Sequence, residues 1–336
     1  MPITWKRVFA LIATVVAVSG CHKVAVKHAP LIAKSSESVT FTANALTSSP
    51  FEMKIWVNGA VVQTCTTNPC TFTGGPYPGY EAGTVSYKAT VKILGGCQLF
   101  CTDTDGWNYF AITDSNYNWS SPYMPARKTG TTGDKEDLIF HMASDYASNG
   151  QSFGTFVGHV RDKIYDVLGV QDIVAHHLED FNFWVYKKEA VSSGCGTVHA
   201  DANTDMPWRD DDAVLHWENF QDCTNAGLSH YSAEGGNTKA FLHESGHGVF
   251  GLADEYCGPT LYFQPANEPN IWDTNAGCEA EQTAKGRDPA ACYQYCANSG
   301  GWHGIHTGTT VMTNGMVGEP WYTEAAEHVR WFFSNL

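Results

Sequence analysis

Charge is scarce in this sequence, and positive charge is scarcest. Only 16% of the 336 residues are charged, with 20 basic against 35 acidic side chains and a formal net charge of −15. Soluble domains usually carry about 25% charged residues. No broad basic stripe exists to displace counterions from phosphates, which excludes nucleic-acid binding as a function. Long apolar runs are missing too. A helix needs about 20 residues to cross a bilayer, and the N-terminal apolar run, residues 8–18, has eleven. Disorder is excluded by what is abundant. Hydrophobic residues make up 43% and aromatics 13%, enough for packed cores. The length allows two or three domains. Eleven cysteines are many for a reducing cytosol and point to an oxidising compartment.

Lys6 and Arg7 precede the apolar run, as in a secretory signal peptide. The run ends in Val18-Ser19-Gly20-Cys21, which resembles the lipobox of bacterial lipoproteins. That resemblance implies cleavage after residue 20 and lipidation of Cys21. It implies a membrane-anchored, extracytoplasmic protein, at the cell surface or the periplasmic face, attached through lipid only. The competing expectation is an ordinary signal peptide with Cys21 in a disulfide. Parity favours the lipobox, since ten cysteines remain without Cys21. Residues 21–35 are short, basic and without an apolar period, and read as a tether.

From Val39 the apolar period is two. Val39, Phe41 and Ala43 alternate with threonines, and Met53, Ile55 and Val57 alternate with polar partners before an Asn58-Gly59 hairpin turn. Tyr87, Ala89, Val91 and Ile93 continue the pattern, then Trp107, Tyr109 and Ala111. Residues 36–120 are thus predicted to form an antiparallel β-sandwich, similar in pattern to immunoglobulin-like surface modules. Cys65, Cys70, Cys97 and Cys101 suggest small local loops, and Asp103-Thr104-Asp105-Gly106 reads as a hairpin turn. Residues 121–135, with Pro122, Pro125, Gly130 and Gly133, read as a linker. Residues 136–336 mix periods. Leu138-Ile139-Phe140 and residues 181–186 read as strands, and residues 153–168 and 238–250 as helices. The rest is rich in Gly, Asn and Cys. The expected fold class is multidomain, an all-β sandwich followed by an α+β domain.

The chemistry is concentrated in His243-Glu244-Ser245-Gly246-His247. On a helix, residues four apart share a face, so both imidazoles can hold one metal ion. Glu244 can then serve as the base for a metal-activated water. This is the zinc-protease pattern H-E-x-x-H. Gly246 and Gly248 cost helix stability of about 1 kcal/mol each, which suggests close packing or substrate approach. Gly251 is expected to end the helix in a left-handed turn. Asp254 could then supply the third ligand, with Glu255 as competitor. Downstream lie Met312, with Val311 before it, and Met316; by themselves they read as ordinary core residues, and the resemblance given next makes Met312 the first choice and Met316 the alternative for a methionine packed beneath the site.

Together these residues resemble the metzincin clan of zinc peptidases. In that clan glycine usually falls three residues, and the third ligand six, after the second histidine. Here they fall at four and seven. The longer spacing with Gly251-Leu252-Ala253-Asp254-Glu255-Tyr256 resembles the immunoglobulin A peptidase family of bacterial metallopeptidases. Phe181-Asn182-Phe183 and Ser144-Asp145-Tyr146 are similar to further segments of that family, although the latter departs from its usual Asp-Gly-Tyr. The resemblance covers residues 136–336. It implies a zinc metalloendopeptidase acting on protein or peptide substrates, with one Zn2+ held by His243, His247 and Asp254, Glu244 as the general base, and Met312 in the turn below; with the lipobox, the expected protein is a lipid-anchored peptidase. The substrate does not transfer. The rival expectation is a binding or adhesion protein with a decayed zinc domain.

Weaker signals remain. Asp201, Asn203, Asp205 and Asp212 are spaced like calcium ligands, but Met206 stands where a calcium loop needs glycine. The competing expectation there is a solvated acidic loop. His303 or His306 could polarise a substrate carbonyl, or be loop histidines. Cys195, Cys223, Cys257, Cys278, Cys292 and Cys296 could form three disulfides.

Overall fold

The computed structural model describes residues 24–77, 84–94, 102–190, 195, 197–217, 222–225, 227, 229–256, 262–264, 267–294, 302–305, 310–313, 321 and 323–336. The chain is a mixed α/β protein rich in sheet and with few helices. Its N-terminal part has two sheets. One pairs β1 (Val24–Ala29), β3 (Val39–Ala45) and β6 (Cys70–Gly74) in the order β1-β3-β6. The other runs β2-β8-β7-β4-β5, from β2 (Ala33–Lys34), β8 (Thr102–Thr113), β7 (Thr84–Ile93), β4 (Phe51–Val57) and β5 (Ala60–Cys65). Val39 and Phe41 of the first sheet share one core with Met53, Ile55, Tyr87, Val91 and Phe110 of the second. Asn58 and Gly59 both have positive φ and close the β4–β5 hairpin, the backbone that a two-residue primed turn requires.

Three expectations need correction here. Residues 24–34 are not a tether. Val24 and Val26 point into the core while β1 pairs along its whole length with β3. The alternation was hidden because its third inward residue is His28, which is buried by aromatic neighbours. Asp105 and Gly106 do not form a hairpin turn but lie inside β8, at an irregularity in its pairing with β7. That irregularity also shifts the strand's phase. Phe110 and Ile112 face the core, and Tyr109 is exposed.

The second part is a six-stranded sheet in the order β13-β14-β12-β10-β11-β9. Its strands are β9 (Tyr123–Arg127), β10 (Glu136–Ala143), β11 (Phe181–Ala190), β12 (Asp211–His216), β13 (Cys223–Thr224) and β14 (His230–Glu234). The four inner strands are parallel and the two edge strands antiparallel. Leu138 and Phe140 face the larger core, while Ile139 between them packs with Trp184 and Met206 on the opposite face. Its longer helices are α1 (Phe153–Asp162), α2 (Thr238–Gly248), α3 (Asn275–Ala284) and α4 (Thr323–Asn335), of which α2 carries the site. The expected helix over 153–168 is α-helical only through Asp162, then continues as a π turn over Lys163–Val167.

The expected linker is partly strand, because β9 is an edge of this sheet and Lys128 bridges back to Tyr109 of β8. The two parts are therefore joined by buried polar contacts. Arg127 is wholly buried and donates from Nη2 to Asp105 Oδ1 at 2.9 Å. Its Nη1 donates to the Leu178 carbonyl, and Val26 N donates to Asp105 Oδ2 at 2.7 Å. His28 Nδ1 accepts from the hydroxyls of Tyr87 at 2.8 Å and Tyr165 at 2.9 Å, while Nε2 donates to Leu31 O at 2.9 Å. Burial pushes the His28 pKa down to about 3, so the ring is neutral.

Candidate metal centre

Helix α2 starts at Asn237, whose side chain accepts from Lys239 N and Ala240 N, the usual way to satisfy the first amides of a helix. Lys163, itself buried, holds the same cap by donating from Nζ to Asn237 O at 2.7 Å. The helix is buried from Ala240 onward, so packing rather than helix propensity decides its residues. A Cβ on Gly246 would lie 2.5 Å from Met312 Sδ. Glycine there lets the methionine close against the helix that carries the two histidines. Gly251 has φ +69°, a conformation L side chains rarely adopt. Gly251 N donates to His247 O at 3.0 Å and Leu252 N to Gly246 O at 2.8 Å, which turns the chain back over the helix end. Asn270 then fixes Ala253 by bonds to its N–H at 2.9 Å and its carbonyl at 2.8 Å.

That turn delivers Asp254. His243 Nε2 and His247 Nε2 are 3.2 Å apart. Asp254 Oδ1 is 3.2 Å from His247 Nε2 and 3.5 Å from His243 Nε2. Ligands about 2.0–2.1 Å from a tetrahedral ion are separated by about 3.3 Å, so the triangle has the right size for one. The tautomers support this. His243 Nδ1 lies 2.7 Å from Val311 O, and His247 Nδ1 lies 2.6 Å from Leu252 O. A carbonyl only accepts, so each Nδ1 carries the proton and each Nε2 presents a lone pair. Asp254 Oδ1 then faces two acceptors and has no donor of its own among the described residues. With both rings neutral, three buried acceptors converge without a proton between them, an arrangement that a cation satisfies. Without a metal the alternative is a shared proton. Burial works against a charged His243, but Asp254 and Glu244 raise its pKa. Burial likewise opposes ionisation of Asp254, yet both histidines hold it well below the usual carboxylate range. Among the described residues, His243, His247 and Asp254 form the one group placed to hold a metal ion.

Glu255 turns the other way. Thr310 Oγ1 donates to its Oε2 at 2.6 Å and Asn270 Nδ2 to its Oε1 at 3.1 Å. Burial pushes its pKa up to about 7. Its backbone N–H donates to Met312 O at 3.0 Å, so it ties the Asp254 segment to the segment below the site. Met312 is fully buried there, and Met316 lies outside the described residues. Glu244 is buried beside the triad, its pKa raised by that burial. Its Oε2 accepts from Thr224 Oγ1 at 2.7 Å. Tyr262 stacks on His247 with ring centroids 4.0 Å apart and donates to Thr224 O at 2.9 Å. Thr224, Tyr262, Asn270 and Thr310 carry no local sequence signal, because each reaches the site through tertiary contacts alone.

The other candidates are resolved differently. Among the described residues the acidic loop is not one of the His, Cys, Asp and Glu groups placed to hold a metal ion. Lys188 pairs with Asp201 at 2.7 Å and Asp205 at 2.8 Å, and Arg209 bonds the Asn203 side chain at 2.6 Å. Asp212 is engaged by His141, Arg209 and His230. Those carboxylates thus face Lys188 and Arg209, cations of the chain itself. His303 sits in a two-residue strand bonded to Trp272, outside the triad, and His306 lies outside the described residues. Asp145 Oδ2 accepts from Trp217 N at 2.8 Å and Tyr146 pairs with His159 at 2.7 Å. The disulfides Cys65–Cys70, Cys195–Cys223 and Cys278–Cys292 are present. Cys21, Cys97, Cys101, Cys257 and Cys296 lie outside the described residues. No protein-family model matches the chain, and no curated protein matches it.

Proposed function

We propose that the chain is a zinc-dependent endopeptidase of the metzincin type, similar to the immunoglobulin A peptidases. The observation that carries this reading is the convergence of His243, His247 and Asp254 beside the buried Glu244. Two imidazoles and one carboxylate leave a fourth tetrahedral position open, the pattern of catalytic rather than structural zinc. When bound, zinc supplies Lewis acidity toward water and the substrate carbonyl. The protein supplies the rest. Val311 O and Leu252 O orient the two imidazoles. Glu244 takes a proton from the water that attacks the scissile carbonyl carbon. It returns that proton to the amine nitrogen as the C–N bond breaks. The N-terminal sheets, read as an immunoglobulin-like sandwich, hold the peptidase part at a set distance from a lipid on Cys21.

The test uses the full mature chain, its zinc content by plasma mass spectrometry and its cleavage of unfolded casein. Wild type should hold about one zinc and cut casein. Glu244→Gln should keep the metal and lose turnover by about 100-fold or more. Undiminished cleavage by a freshly purified Glu244→Gln protein refutes the mechanism.

A further inference from the structure

We infer that Thr224 is a positioning residue for the Glu244 carboxylate, an inference that rests on the peptidase reading above. The Thr224 hydroxyl lies 2.7 Å from Glu244 Oε2 and 3.2 Å from Glu244 O. It has one proton to give, and the contact to Oε2 is the shorter by 0.5 Å. The proton therefore sits on the Oε2 side and leaves Oε1 as the oxygen that takes a proton from water. Both residues are buried, Thr224 at 5% exposure and Glu244 at 4%, so solvent does not compete for the bond. A glutamate side chain has several rotatable bonds, and one directed contact removes most of that freedom.

Thr224 is well placed to act as a reference point because it is itself held from three sides. Strand β13 pairs with β14 through Thr224 to Tyr231 and Cys223 to Ser232. The Cys195–Cys223 disulfide anchors the preceding residue. Tyr262 bonds the Thr224 carbonyl while its ring lies on His247. The contacts close a circuit from the ligand His247 through Tyr262 and Thr224 back to Glu244. Base and ligand thus share one frame that is not provided by helix α2 alone. Misplacement of a reacting group by about 1 Å is enough to cost large factors in rate.

The experiment compares Thr224→Val, which keeps the shape and removes the donor, with Thr224→Ser, which keeps the donor. The substrate is a quenched-fluorescent peptide taken from a casein cleavage site, and Glu244→Gln is the reference. Thr224→Val should lower kcat about 10- to 100-fold, the size of one hydrogen bond to a charged group, with KM and zinc content unchanged. Thr224→Ser should recover kcat to within about threefold. A second readout needs no turnover. The side-chain carboxyl 13C resonance of Glu244, assigned by its loss in Glu244→Gln, should move in zinc-free Thr224→Val and return in Thr224→Ser. Wild-type kcat and an unmoved resonance in Thr224→Val overturn the inference. So does a Thr224→Ser protein as impaired as Thr224→Val, or a loss of zinc in step with kcat. An inactive Glu244→Gln beside a fully active Thr224→Val overturns this inference alone. An active Glu244→Gln ends the peptidase reading and the role of Thr224 with it.

Discussion

Breaking the Arg127–Asp105 pair tests whether the two parts of the chain are one cooperative unit. The Arg127 side chain is 0% exposed and that of Asp105 6%, with Nη2 and Oδ1 2.9 Å apart. Burial raises the Asp105 pKa even though Arg127 opposes it. The pair is therefore expensive to desolvate, and its net contribution is small while both members are present. Asp105→Ala removes the counter-charge and also the acceptor of Val26 N. It leaves a guanidinium buried with neutral partners, the Leu178 carbonyl and the Tyr87 hydroxyl, and no counter-charge bonded to it. Stranding one member of a buried pair costs about 3–5 kcal/mol, and the orphaned amide adds about 1 kcal/mol. Total stability of about 5–15 kcal/mol is typical, so the loss should be plain in urea denaturation followed by tryptophan fluorescence and far-UV circular dichroism. The expected result is a single transition at much lower urea. The double variant Asp105→Leu with Arg127→Met should recover most of the loss, because neither charge remains. A cost under 1 kcal/mol, or two separate transitions of which only one moves, would refute the reasoning.

Asp254→Ala should lose zinc as completely as His243→Ala, whereas Glu255→Ala should keep about one zinc per chain after dialysis against a weak chelator; the reverse outcome would exchange their roles. Gly246→Ala should destabilise the protein by about 1–2 kcal/mol although alanine favours helix, because the new Cβ would meet Met312 Sδ at 2.5 Å. A gain in thermal stability would show that the methionine moves aside freely. Glu136 is buried against Asp211, and burial first, then neighbouring acids, lift its pKa from 4.5 to about 7. The unfolded chain releases this proton near 4.5 and the folded chain keeps it, so stability falls as pH rises through that window. The displacement amounts to about 3 kcal/mol at most. Glu136→Gln should flatten the decline between pH 5 and 8 in urea midpoints, and an unchanged slope would discount the buried acid pair.

Much of the candidate metal site was legible because its first part is local. His243 and His247 are one helical turn apart, and that spacing sets a shared face whatever surrounds the helix. Gly251 marked the turn for the same reason, since a left-handed residue has few alternatives to glycine. Alternation of Val39 to Ala43 and Met53 to Val57 likewise carried the β-sheet halves, because strand faces follow from period two. Where two neighbours compete, local pattern has nothing more to say. Asp254 and Glu255 are both acidic and both follow the turn. Only Asn270 and Thr310, 15 and 55 residues beyond Glu255, draw Glu255 away and leave Asp254 over the histidines. The acidic loop looked like calcium ligands until the fold brought Lys188 and Arg209 against it. His28 disguised β1 as a tether because a buried histidine is recognisable only once Tyr87 and Tyr165 close over it. Helix and strand periods are properties of the backbone and are written in a few residues. Which carboxylate faces the two histidines, which charge is paired and which polar residue is buried depend on atoms supplied from far along the chain, and the tertiary structure decided those.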